Sequence, residues 1–151
     1  MKTEVSISVL QAFATGLSAQ SYSHRVQGKI FASLGFSKLG EKYAEHATEE
    51  RGYVEKFLDR ILDLGGTLKV ENAPEAPVFT NVVDFLKEDH KISVSGIETL
   101  RQSMAAVADD VTTFDILKEY LADEEQDMYW TEQQLSLIDM IGLQNWLVKQ
   151  L

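Results

Sequence analysis

The stretch SKLGEKYAEHATEERGYVEKFLDRILDLGG, residues 37–66, decides the fold. Within it Leu39, Tyr43, Ala47, Glu50, Val54, Phe57, Ile61 and Leu64 recur at alternating spacings of three and four, which lines up one face of an α-helix. Ser37 is a residue type that opens a helix, and Gly65-Gly66 is a pair that closes one. A helix of this length reaches on the order of 45 Å.

The rest of the chain repeats the pattern. Upstream, Leu10, Phe13, Leu17, His24 and Phe31 mark a first helix that runs to about Leu34, where Gly35 interrupts it. Residues 67–79 hold both prolines, Pro74 and Pro77, and no strong periodicity, so they read as a long connection. Thr80 is a candidate cap for a third helix carrying Val83, Leu86, Ser93, Ile97, Leu100, Met104 and Val107. Thr112 and Asp115, spaced as a capping box, introduce a fourth with Leu117, Leu121, Glu124, Met128, Leu135 and Ile138. Gly142 stops it, and a short helix from Leu143 to Leu151, containing Trp146, follows. Short links between helices one and two and between three and four make antiparallel hairpins, and the long link allows a crossover between them. The expectation is an all-α, ferritin-like four-helix bundle with a long crossover between helices two and three and a short fifth helix, forming one domain over residues 1–151.

Composition narrows the function classes. There is no cysteine, so disulfides, thiolate metal sites and cysteine nucleophiles are excluded. The net charge of −10 argues against nucleic acid as a partner, because phosphate backbones are bound by clustered Lys and Arg. Cations are the more natural ligands. A polar, acidic start and the lack of any apolar run near ~20 residues predict a soluble, unsecreted, cytoplasmic protein with no membrane partner. No glycine-rich phosphate loop or serine-histidine-acid arrangement is present.

Glu50 and Glu124 sit in apolar stripes where the periodicity asks for Leu or Val. A lone carboxylate among apolar groups costs several kcal/mol, so such residues are paired, hydrogen-bonded or bound to metal. In di-metal helix bundles two helices each give a Glu and two each give Glu-x-x-His, since positions i and i+3 share a face. Here the frames read Glu50-Arg-Gly-Tyr53 and Glu124-Glu-Gln-Asp127. Each histidine is gone. Asp127 is the better surviving ligand, because a neutral tyrosine binds ferrous iron poorly. No Asp or Glu occurs from Val5 to Gly40, leaving Leu17 at the seam of helix one. Helix three offers Ser93, with only Glu98 nearby and off the stripe.

Two stretches carry a family resemblance. The closing run from Leu121-Ala-Asp-Glu-Glu-Gln-Asp-Met-Tyr-Trp to Leu143-Gln-Asn-Trp-Leu, and the run from Leu34-Gly-Phe through Glu49-Glu50 to Leu58-Asp-Arg-Ile-Leu-Asp-Leu-Gly-Gly, resemble the bacterioferritins. The resemblance implies a twenty-four-subunit hollow shell that stores ferric mineral. The family's bridging glutamates fall on Glu50 and Glu124, its histidines on Tyr53 and Asp127, and its remaining glutamates on Leu17 and Ser93. The haem-ligating methionine falls on Arg51, so haem is not expected. Iron is the implied ion, and the site residues expected to hold metal are Glu50, Glu124, Asp127, Glu45 and Glu49. The resemblance places Glu45 and Glu49 toward the shell's inner surface, where carboxylates nucleate mineral; a solvated charge face is the other reading.

With so few ligands left, efficient ferroxidase activity is not expected. Two functions stand. One is an iron-storage shell subunit that mineralises on inner carboxylates or co-assembles with a ferroxidase-competent homologous subunit. The other is a ferritin-like structural or binding protein that no longer handles iron, its buried carboxylates satisfied by His24, Arg25 or Tyr53. His24 can reach Glu50 or Glu124, His46 reads as a surface or inter-subunit residue, and His90 as structural.

Overall fold

A computed structural model describes residues 1–151 as five helices: α1 (Thr3–Ser33), α2 (Ser37–Asp63), α3 (Val82–Ala106), α4 (Val111–Ile141) and α5 (Leu143–Val148). The first four form the expected bundle of two hairpins joined by a long crossover. In α1 the buried positions Leu10, Ala14, Leu17, Ser21, His24, Gly28 and Phe31 alternate spacings of four and three, so one narrow seam runs the length of the helix. In α2 Leu39, Tyr43, Ala47, Glu50, Val54, Phe57 and Ile61 do the same. The two seams meet closely enough at one end that a Cβ on Gly28 would sit 2.9 Å from the Gly40 carbonyl oxygen, and one on Gly40 would sit 2.8 Å from that of Gly28. Only paired glycines let the backbones cross there. Gly35, at φ +96°, turns the chain between the helices.

The crossover is held by two glutamines of α1 that sequence reading passed over. Gln11 gives its side-chain NH to the Lys69 carbonyl (3.3 Å) and accepts the Lys69 N–H (3.2 Å). Gln27 does the same with Phe79, at 2.6 and 3.1 Å. Each amide reads donor and acceptor of one backbone residue, which pins an extended strand of chain along α1 without a β-partner.

Both expected helix caps shift. Asn81, not Thr80, caps α3 by accepting the Asp84 N–H at 3.0 Å. Asp110, not Thr112, caps α4: its carboxylate accepts the Thr113 N–H (3.3 Å) and hydroxyl (2.6 Å) and pairs with Arg60 at 2.8 Å. Burial works to raise the Asp110 carboxyl, but hydrogen bonds from Thr113, Ser6 and Arg60 outweigh it and bring its pKa to about 2. Asp110→Ala is expected to lower stability by about 2 kcal/mol, the scale of a lost cap with a buried ion pair, as read by chemical denaturation at pH 7.

The terminal helix α5 ends at Val148, earlier than the expected Leu151. It folds back so that Trp146, 1% exposed, enters a core cluster with Phe31, Leu39, Tyr43, Phe85, Leu86 and Ile138. A second cluster at the other end holds Leu10, Leu17, Val54, Phe57, Leu100, Leu117 and Tyr120. Between them lies a belt of buried polar residues, among them His24, His46, Glu50, Asp89, Ser93 and Glu124. In α4 the buried residues are Thr113, Leu117, Tyr120, Glu124, Thr131 and Ile138, so Thr131 rather than Met128 continues the stripe. No helix is long and apolar enough to cross a membrane.

Candidate metal centre and its buried carboxylates

The polar belt is built where four seams reach mid-height. His24 of α1 lies between two helices' carboxylates: Nδ1 is 2.6 Å from Glu50 Oε1 of α2 and Nε2 is 2.7 Å from Asp89 Oδ1 of α3. A neutral imidazole donates from only one nitrogen, so the two contacts need one further proton, carried by the ring or by a carboxyl such as that of Glu50, which burial pushes up against the pull of His24. Burial depresses the ring's pKa, but the hydrogen bonds to Asp89 and Glu50 and their charges outweigh it, and the net shift is well above the ordinary value. Tyr43 completes the group by donating its hydroxyl to Asp89 Oδ2 at 3.3 Å.

Glu124 faces this triad from α4. Its Oε1 and the Oε2 of Glu50 are buried without a hydrogen-bond partner. Burial, and then the charge of Glu50, pushes the Glu124 carboxyl up to about 8, so at neutral pH it is held largely as the acid. The Tyr120 hydroxyl stands beside it. Leu17 is packed in apolar core, and Ser93 is buried without a charge to offer. Tyr53 lies against the Tyr120 ring (5.3 Å between centroids) with the Lys56 ammonium over its face, and its hydroxyl makes no hydrogen bond to the unpartnered oxygens of either glutamate. Arg25 bonds Thr48 instead.

A second group of carboxylates lies on the α2–α4 side of the belt. Glu49, Asp123 and Asp127 each present one oxygen such that all three lie within 4.8 Å of one another. Burial, then Asp123, Glu124 and Glu50, raise the Asp127 carboxyl to about 8. Burial chiefly raises Asp123 and Glu49 as well, the latter helped by Asp123 and Glu45. His46 abuts the group: it is 2% exposed, its Nε2 has no hydrogen-bond partner, and that atom is 3.5 Å from Asp127 Oδ1. Burial, then the charges of His24 and Lys42, lower its pKa to about 4, which leaves a neutral ring whose Nε2 is unpartnered. Trp130 and Tyr43 close over it.

The five residues expected to hold metal therefore divide. Glu49 and Asp127 come together, with Glu45 exposed beside Glu49; Glu50 and Glu124 lie deeper, in the belt. Three residues were missed. Asp89 corrects the reading that helix three has no seam carboxylate: it lies three residues after Leu86 and four before Ser93, on their stripe. Asp123 is one turn before Asp127, at the i, i+4 spacing that shares a face. His46, read as a surface residue, is buried inside the chain because it follows Tyr43 by three positions and precedes Glu50 by four.

Bundle, crossover and mid-height carboxylates define a class, and the comparisons agree with it. The chain belongs to the ferritin-like domain family, whose domain matches residues 18–141. It is similar to the bacterial ferritin of Pseudomonas aeruginosa, at 34% identity over 148 residues and 96% of each chain. It is 35% identical to that of Neisseria meningitidis serogroup B over 129 residues and 83% of each chain. A bacterioferritin of Streptomyces coelicolor is 27% identical over 119 residues, covering 78% of this chain and 71% of that protein.

Proposed function

We propose that the chain is an iron-storage subunit of the bacterioferritin type, assembling into a closed shell and taking up ferrous ions as cargo on the α2–α4 carboxylates rather than oxidising them at a paired-iron seam. The observation that carries this reading is the convergence of Glu49, Asp123 and Asp127, three oxygens within 4.8 Å, beside the neutral His46 ring. Carboxylates with one imidazole suit Fe²⁺, and a cluster whose carboxyls repel one another gains by binding a divalent ion. Glu45, exposed next to Glu49, extends the acidic surface on which mineral would form.

The seam does not fit a pair of irons. Leu17, Tyr53, Ser93 and Asp127 stand where a bacterioferritin-like site has its two remaining glutamates and two histidines, and Leu17 is part of the apolar core. Oxidation therefore falls to slow chemistry on the surface carboxylates or to a ferroxidase-competent subunit in a mixed shell. Arg51, exposed on α2, offers no axial ligand to a haem.

Stopped-flow mixing of the purified protein with Fe²⁺ in air is expected to give oxidation well below that of a ligand-complete bacterioferritin. Iron uptake should fall further in Asp123→Asn with Asp127→Asn. A parent rate equal to the ligand-complete protein would overturn the reading, as would a monomer or dimer in light scattering at micromolar concentration. The competing reading, a structural protein that no longer handles iron, draws on the belt carboxylates being engaged by His24. A purified shell that forms no mineral core on iron loading would favour it.

A further inference from the structure

We infer that the trough between α1 and α3 is a binding site for a small neutral aromatic compound carrying one hydroxyl group, its ring against the apolar walls and its hydroxyl on Glu124. This goes beyond iron storage and does not rest on it.

The trough is opened by the sequence of both helices. Gly16 of α1 and Gly96 of α3 line it, and a Cβ at either position would meet nothing within 4 Å. Gly28 and Gly40 behave differently, since a Cβ on either would strike the other's backbone. Glycine weakens a helix interior, and at Gly16 and Gly96 no close helix crossing accounts for it. What the two glycines leave is room. Ser8 and Ala12 precede Gly16 at steps of four, and Thr99 and Ser103 follow Gly96 at steps of three and four, so each helix turns a row of small side chains to the same cavity. Its volume is about 410 Å³, within the range of sites that hold small organic molecules.

The chemistry of the lining selects the ligand. Leu17 and Tyr120, 3% and 5% exposed, give it an apolar base, and Phe13 meets the Tyr120 ring edge-on with centroids 6.2 Å apart. Ile92, half exposed on α3, supplies apolar surface at the mouth. Glu124 is the one carboxyl group of the lining. It is 5% exposed, and its Oε1 is buried with no hydrogen-bond partner. An apolar cavity with a single unsatisfied polar group fixes a ligand's orientation through that group. A hydroxyl pairs with a carboxyl in either protonation state, donating to the ionised form and accepting from the acid. An ammonium pairs only with the ionised form, and it would carry a charge into walls of Leu, Phe and Tyr. A neutral hydroxylated ring therefore matches both the walls and the base.

The test titrates the full-length protein, in the oligomeric form in which it purifies, with β-naphthol, read by the fluorescence of the probe and by equilibrium dialysis. Saturable binding of one molecule per chain is expected, with naphthalene, which lacks the hydroxyl, about tenfold weaker. Gly96→Leu places a side chain in the empty space and should abolish binding while the melting temperature stays at or above that of the parent. Gly16→Leu repeats the test from the facing helix, should the first variant fail to fold. Glu124→Leu should bring β-naphthol down to the affinity of naphthalene. The proposal falls if β-naphthol binds without saturation, if a folded Gly96→Leu or Gly16→Leu protein binds it as the parent does, if Glu124→Leu keeps the preference for the hydroxyl, or if β-naphthylmethylamine binds more tightly than β-naphthol. Loss of iron storage with these outcomes intact would strike only the proposed function.

Discussion

Replacing His24 by leucine is expected to lower the stability of the folded chain by about 3–5 kcal/mol, the range for removing one partner of a buried ion pair. The loss comes from what remains. Glu50 and Asp89 are 1% and 6% exposed, and without the ring their oxygens keep only the Tyr43 hydroxyl at 3.3 Å. Urea unfolding at pH 7 reads the change directly. A further replacement of Glu50 and Asp89 by leucine should recover most of it, because three apolar groups in a dry seam owe no desolvation cost. A single-variant loss below about 1 kcal/mol would mean that the carboxylates find other partners and that the triad is not a structural unit.

The second large effect is on pH dependence. Glu124 and Asp127 have folded pKa values near 8, against ordinary values of 4.5 and 3.8. Between the ordinary and the folded value the folded chain holds protons that the unfolded chain has released, so stability falls as pH rises from about 4 to about 8 and levels off above it. His24, raised by its partners, acts in the same direction: its contribution is complete below 6.5 and is lost as pH climbs through its folded value. His46, lowered to about 4, opposes them on the acid side, since stability falls as pH drops from 6.5 through 4. Asp110 matters only further down, where its contribution is lost as pH falls from 3.8 through about 2. The sum predicts a maximum near pH 4, because above it the two raised carboxyls outweigh the one opposing histidine, and a loss on the order of 5 kcal/mol between pH 6 and pH 8, at about 1.4 kcal/mol per pKa unit for carboxyls that partly share one repulsion. Thermal unfolding at pH 6 and pH 8 without divalent metal should show it. Glu124→Gln with Asp127→Asn should flatten the profile, and an unchanged profile in that variant would remove both groups as its source.

Much of the fold could be read from residue spacing. The alternating three and four spacing of Leu39, Tyr43, Ala47, Glu50, Val54, Phe57 and Ile61 fixes a long helix with one buried seam, and every one of those residues is buried in α2. The long proline-bearing link could be read as well, because nothing in residues 67–79 supports a regular period. Two buried carboxylates were legible for the same reason: Glu50 and Glu124 interrupt apolar stripes. Helix caps were less so. Asn81 and Asp110 each stand one or two residues from a threonine of similar capping propensity, and the choice rests on which backbone N–H the side chain meets, with Arg60 from α2 reinforcing Asp110.

What surrounds the carboxylates depended on how four helices are rotated and staggered against one another. Spacing along a helix says that His24, His46, Asp89 and Asp123 fall on particular faces; it does not say that His24 stops at the height of both Glu50 and Asp89, 26 and 65 residues away in sequence. His46 and His24 are both buried histidines with ring centroids 6.0 Å apart, yet the pKa of one is lowered and that of the other raised. Sequence alone determined the helices, their order, the crossover and the presence of charge in the core. Tertiary packing decided which charges meet, because a buried group's ionisation is set by partners within a few ångströms, and those partners come from other helices.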